Sequence, residues 1–110
     1  MSSSENTPRI TAATRQAFKL STVRIVGKLE NVISSNKGQF EADGLFQGTL
    51  PDLDRVNWRV GSCYELIGQV QNDLEIKVLS AIDMGTNPAI IPIFNELAAV
   101  SHRFPEVFQD

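Results

Sequence analysis

The sequence predicts an all-β fold: five strands curled into a small barrel or bent sheet, with a short N-terminal helix or turn and a C-terminal α-helix. Three observations carry this prediction. Apolar side chains recur with a period of two in five short stretches between residues 23 and 79. Tight clusters of Gly, Asn, Asp and Ser separate most of these stretches, at the spacing of a small curled all-β domain. Beyond residue 88 the apolar period lengthens to that of a helix.

Each element follows in order. Met1 to Pro8 is Ser-rich and polar and is expected to be a loose tail, giving a tail over residues 1–9, a barrel over 10–86 and a C-terminal helix with its own tail over 87–110. Ile10 to Leu20 reads as a short helix capped by Thr11, covering one end of a core with Ile10, Phe18 and Leu20. Val23 to Glu30 alternates, with Arg24, Lys28 and Glu30 on the polar face, as in a half-buried antiparallel strand. The cluster Ser34 to Gly38 is a turn. Gln39–Ala42 and Leu45–Leu50 then flank Asp43-Gly44, a pair that accepts the positive φ angles of a tight hairpin. Pro51 to Arg59 interrupts the pairing, and Trp58 within it is expected to plug one end of the barrel. Cys63–Val70 and Leu74–Leu79 supply the last two strands around Gln71-Asn72-Asp73. Gly27 and Gly68 share an apolar-Gly-polar-apolar context. A glycine inside a strand weakens it unless the strand bends or a neighbour approaches closely, so both mark bends of a Greek-key barrel.

Composition narrows the function classes. The 110 residues fit one domain, and 42% hydrophobic with 21% charged residues is ordinary for a globular protein. A net charge of −3 argues against tight autonomous binding of a polyanion, which draws most of its affinity from neutralised phosphates. The single cysteine, Cys63, excludes an internal disulfide and fits a reducing compartment. No apolar run reaches the length of a membrane span, and Met1 to Asn6 lacks the form of a secretory signal, so a soluble intracellular domain with no membrane partner is expected.

Catalysis finds little support. Cys63 sits on a strand and His102, the only imidazole, on the polar side of a distant helix, whereas a nucleophile and its base need hydrogen-bond contact. Cys63 reads as a buried small hydrophobe and His102 as a solvated surface residue. Asp52 and Asp54 alone do not make a metal site, and neither metal nor cofactor is expected. Small five-stranded barrels often bind oligonucleotides on strands two and three, with aromatics for stacking and cations for the backbone. Phe40, Phe46, Arg24 and Lys28 are the candidate single-stranded DNA contacts on that reading; alternation equally allows both Phe rings to point inward, and the short turns argue against a grip.

The C-terminal helix carries the stronger signal. Pro92 suits its first turn and Pro105 its end. Ile93, Phe94, Leu97, Val100, Ser101 and Phe104 share one side, and the apolar arc is wider than the roughly 100° stripe a helix needs to lie on a barrel. An apolar surface left over in this way marks a protein–protein interface, and an oligomer built through helices is expected.

These features together resemble a known family. Ile10 to Phe18 followed by Val23-Arg24-Ile25-Val26-Gly27-Lys28-Leu29-Glu30, then Gly68-Gln69-Val70, Ile93-Phe94-Asn95-Glu96-Leu97-Ala98 and His102-Arg103-Phe104-Pro105-Glu106-Val107-Phe108, are similar to the smallest subunit of replication protein A. The resemblance implies an OB-fold barrel followed by a helix. It further implies that this helix joins one from each of the middle and large subunits in a three-helix bundle. The heterotrimer would bind single-stranded DNA in nuclear replication, repair and recombination, with the larger subunits making most DNA contacts.

Overall fold

A computed structural model describes residues 7–52, 56–87 and 89–103, with side chains as far as Val100. A 3-10 helix over Ala12–Phe18 leads into strands β1 (Thr22–Ser34), β2 (Lys37–Glu41), β3 (Leu45–Thr49), β4 (Cys63–Val70) and β5 (Ile76–Gly85), followed by helix α1 (Ile90–Arg103). The strands close into a barrel in the order β1-β2-β3-β5-β4. The expected OB architecture is therefore present.

The closure depends on β1, which serves both halves of the barrel. Its first half, Thr22 to Lys28, pairs with β4, and its second half, Lys28 to Ser34, pairs with β2. Glycine makes the sharing feasible. A Cβ on Gly27 would lie 3.2 Å from Cε1 of Phe46, and one on Gly68 would lie 2.5 Å from the Lys77 carbonyl oxygen, beside an irregularity in the β4–β5 register. Both glycines are thus sites of close approach, as their strand context predicts. The Asp43-Gly44 turn takes the expected left-handed angles, φ 59° and 119°. A parallel bridge from Gly48 to Ile76 completes the barrel.

The interior holds Phe40, Phe46, Tyr64, Leu29, Leu66 and their aliphatic neighbours, all but out of solvent. Phe40 and Phe46 are register partners, and their rings stack with centroids 5.2 Å apart. Trp58 packs on Phe40 and Tyr64 and donates its Nε1 proton to the Pro51 carbonyl at 2.9 Å, plugging the barrel as expected. The wholly buried Tyr64 hydroxyl donates to Asn57 O at 2.9 Å and accepts from Arg59 N at 2.7 Å, so it is not left unsatisfied.

A second, smaller core lies outside the barrel wall. Val26, Cys63 and Ile91 are buried there, with Met84, Ile90 and Phe94 packed around them. Alternation puts Val26 on the outward face of β1, and only the covering helix removes it from water. Burying each large aliphatic side chain is worth about 1.5–3 kcal/mol, which is what fixes α1 to the wall.

Three expectations need correction. Pro8 and Arg9 are not part of a loose tail: Arg24 N donates to Pro8 O and Ile10 N to Arg24 O, both at 2.8 Å, laying this segment along the otherwise open edge of β1. The first helix is of the 3-10 type and starts at Ala12, with Thr11 N donating to Thr14 Oγ1 at 3.1 Å. Strands β1 and β5 run on to Ser34 and Gly85, past the ends expected from alternation, because register irregularities and the covering helix break the in–out pattern. Among the described residues no helix is long and apolar enough to cross a membrane.

Candidate functional site

Helix α1 begins where Asn87 turns the chain: its Oδ1 accepts from Ala89 N at 3.0 Å and its carbonyl from Ile90 N. Pro92 falls in the first turn, where its missing N–H leaves no intrahelical bond unmade. Ile91 and Ala98, seven residues apart, are buried against the barrel at 5% and 1% exposure. On the other side Ile93 is 63% exposed, and Leu97 and Val100 are half-buried. A surface isoleucine exposed to that degree beside two further aliphatic residues forms an apolar strip that no other described residue covers, on a helix already anchored by its opposite face.

Of the residues expected at an interface, Ile93, Leu97 and Val100 share this strip. Phe94, partly buried like Leu97 and Val100, packs against the outer core, and the Arg9 guanidinium lies 4.8 Å from its ring centroid. The backbone of Ser101 is helical, while its side chain and the whole of Phe104 lie outside the described residues, as do Asp54, Pro105, Val107 and Phe108 and the side chain of His102. Arg9 went unnoticed in the sequence. Its Nη2 also meets Glu65 Oε2 at 3.0 Å, so one side chain ties the N-terminal segment, β4 and α1 together. Ile91 and Val26 were missed too; the signals were an isoleucine in helical phase with Ala98 and an apolar residue on the polar face of β1.

The face where barrels of this kind hold oligonucleotides is built differently. Phe40 and Phe46 are 0% and 2% exposed, so neither ring offers a surface to a base, and their candidacy as DNA contacts is withdrawn. Lys28 Nζ lies 4.0 Å from Glu30. Arg24 borders the N-terminal segment on β1 and is not among the residues that line the groove. In the groove, a depression of about 300 Å³ is lined by Gln39, Gln47, Leu45, Leu74 and Glu75. Arg15 spans it, donating to Leu74 O at 2.7 Å, Leu45 O at 3.2 Å and Ala12 O at 2.9 Å. Partial burial pulls the Arg15 guanidinium down from its ordinary value. Lys37 Nζ meets Glu75 Oε1 at 2.8 Å, joining β2 to the turn before β5. The cations near this groove are therefore engaged by the chain's own oxygens.

Cys63 is wholly buried beneath α1, with Sγ 3.9 Å from Asn87 O, and burial pushes its thiol above the ordinary range. That environment disfavours the thiolate a nucleophile requires. Among the described residues no three His, Cys, Asp or Glu side chains gather where they would hold a metal ion. Asp52 is exposed at the barrel's rim.

Comparison with known proteins sharpens this picture. The sequence profile of the family described as Replication factor A protein 3 matches residues 1–108. A relative described as Replication factor A protein 3, from Schizosaccharomyces pombe, is 26% identical over 102 residues, 93% of this chain and 94% of the relative. Among solved structures, a chain from U. maydis replication protein A bound to single-stranded DNA superposes with a TM-score of 0.80 at 23% identity, covering 96% of this chain and 97% of that one. The telomere capping protein Ten1 from Saccharomyces pombe gives a TM-score of 0.73 at 10% identity, covering 89% and 99%. The structural likenesses establish the OB-fold; the sequence profile distinguishes between proteins that share it.

Proposed function

This chain belongs to the Replication factor A protein 3 family, and from that premise we propose that it acts as the structural and assembly subunit of the heterotrimeric, single-stranded-DNA-binding replication protein A complex. Helix α1 joins a helix from each of the middle and large subunits, and the complex works in the nucleus in DNA replication, repair and recombination. The role is non-catalytic. The observation that carries this reading is the strip of Ile93, Leu97 and Val100 on a helix whose opposite face already holds the barrel. Burial of such a strip supplies association energy without disturbing the fold. DNA reaches this subunit mainly through its partners, because among the described residues the groove offers no exposed ring for stacking and its cations Arg15 and Lys37 are already bonded.

Replacing Leu97 with Asp tests the reading. The barrel of Leu97→Asp is expected to fold, with an unchanged β-sheet circular dichroism spectrum, while co-purification with the middle and large subunits is lost. Retained assembly would overturn the proposal. Titration of the isolated chain into labelled single-stranded DNA is expected to be flat at physiological salt. Salt-sensitive binding of the free chain would instead favour a stand-alone oligonucleotide-binding module.

A further inference from the structure

Helix α1 lies on the barrel about a quarter turn away from the orientation its own apolar residues favour. At 100° per residue they run from Val100 and Ile93 at one edge, through Leu97 and Phe94, to Ala98 and Ile91 at the other, an arc of about 180°. Apolar burial is non-directional and grows with the area covered. By itself it would therefore set the middle of this arc, near Leu97 and Phe94, against the wall. Instead Ile91 and Ala98, at one edge, are the buried pair, Leu97 is half-buried, and Ile93 near the other edge is 63% exposed. A helix resting on the edge of its apolar arc needs a directional contact to keep it there.

Arg9 makes such a contact. Its backbone is fixed along β1, with Arg24 N donating to Pro8 O and Ile10 N donating to Arg24 O, and Ile10 is 2% exposed. From there its side chain reaches Glu65 on β4, Nη2 to Oε2 at 3.0 Å, with the two side chains 15% and 20% exposed. The same guanidinium lies over the Phe94 ring, 4.8 Å from the centroid. Phe94 stands in the arc between Ala98 and Leu97, so the ion pair occupies the flank onto which the helix would roll. Bringing the middle of the arc to the wall would carry Leu97 and Ile93 into the place of Phe94. An aromatic face attracts a guanidinium, whereas an aliphatic side chain does not. Covering the ion pair with aliphatic groups would also take both charges from the water that still reaches them, at a cost.

We propose that Arg9 sets the roll of α1 on the barrel, and is thereby a positioning residue that selects which apolar face of the helix is left for partner subunits. The roll itself stands on the contacts above; that the exposed face meets partners rests on the assembly role already argued. The N-terminal segment thus acts on the opposite end of the chain. It keeps Phe94 with the barrel and leaves Ile93, Leu97 and Val100 together on the outer side.

Cysteine probes in the full chain read the roll directly. Thiol labelling, resolved by peptide mass spectrometry, is expected to be fast at Ile93→Cys and slow at Ala98→Cys, with buried Cys63 as the internal reference. Adding Arg9→Met keeps the length of the side chain and removes its charge; Arg9→Ala takes its place should that variant not fold. Either is expected to speed labelling at Ala98→Cys at least about tenfold and slow it at Ile93→Cys at least about threefold, by shifting the population to the rolled state. Cys63 and the β-sheet circular dichroism spectrum are expected to stay as they are. Arg9→Lys, which keeps a cation beside Glu65 and Phe94, is expected to preserve the parent pattern. Any result but opposite changes at the two probes overturns the inference; faster labelling of Cys63 as well would mean that the helix had detached and not rolled. In co-expression with the middle and large subunits, Arg9→Met is expected to weaken assembly at least about threefold, since only the unrolled fraction is competent. Assembly at the parent's level would overturn the selection of the partner face by Arg9. Should Leu97→Asp assemble normally, the assembly role itself fails, and the labelling still decides the roll.

Discussion

The groove beside β2 and β3 and the face carrying α1 treat their surfaces in opposite ways. In the groove, Arg15 bonds three carbonyls of its own chain, Lys37 is paired with Glu75, and Phe40 and Phe46 stack on one another inside the wall. Across the molecule, α1 is fixed by Ile91, Ala98 and Phe94 yet leaves Ile93 in water. Where the OB-fold commonly receives a ligand, this chain supplies its own contacts; where the fold commonly needs nothing, it presents apolar surface. The same barrel thereby serves assembly. The likeness to Ten1 at 10% identity makes the same point from outside, since a shared barrel leaves the function to whatever is placed on its surface.

Substitutions on the two faces should fail in different ways. The largest effect is expected from Phe40→Ala, which opens a cavity beneath the groove and should lower unfolding free energy by about 3–5 kcal/mol in urea titrations. If it cost as little as a surface change, the ring would not be the core element described above. Next comes Cys63, which sits under α1 and reports on how firmly the helix is seated. Its raised folded-state pKa means that stability is fully present below the ordinary thiol value of 9.0 and is lost as pH climbs from there through the folded value. Cys63→Val should remove that alkaline slope, followed by chemical denaturation between neutral and alkaline pH. A slope that persists in the variant would assign it to other groups. The smallest effect is expected from Lys37→Ala. Its ion pair with Glu75 is about a third exposed, so its loss should cost no more than about 1 kcal/mol and leave partner assembly unaltered. A loss of assembly in that variant would erase the contrast between the two faces.

Much of this was legible in the sequence. Alternation located all five strands, Asp43-Gly44 the hairpin, and Gly27 and Gly68 the tight approaches, because strand period, turn angle and the need for a missing side chain are local properties. The over-wide apolar arc of the final helix was visible for the same reason. The parts that stayed hidden concern Phe94, Val26 and Arg9. Phe94 lies on the arc whichever way the helix is turned; that it faces the wall depends on Arg9 and Met84 being there to receive it. Val26 broke the alternation of β1, and only the helix laid over it explains why.

The sequence by itself determined the barrel, its core and the presence of surplus apolar surface on α1, since each of these is written in the spacing of neighbouring residues. Tertiary structure alone decided which side of α1 the barrel covers and that Arg15 and Lys37 at the groove are held by the chain's own oxygens. Those outcomes hang on contacts such as Arg9 with Glu65, Arg15 with Leu74 and Lys37 with Glu75. A contact between residues so far apart along the chain leaves no periodic trace in the sequence and forms only once the strands have been brought into register.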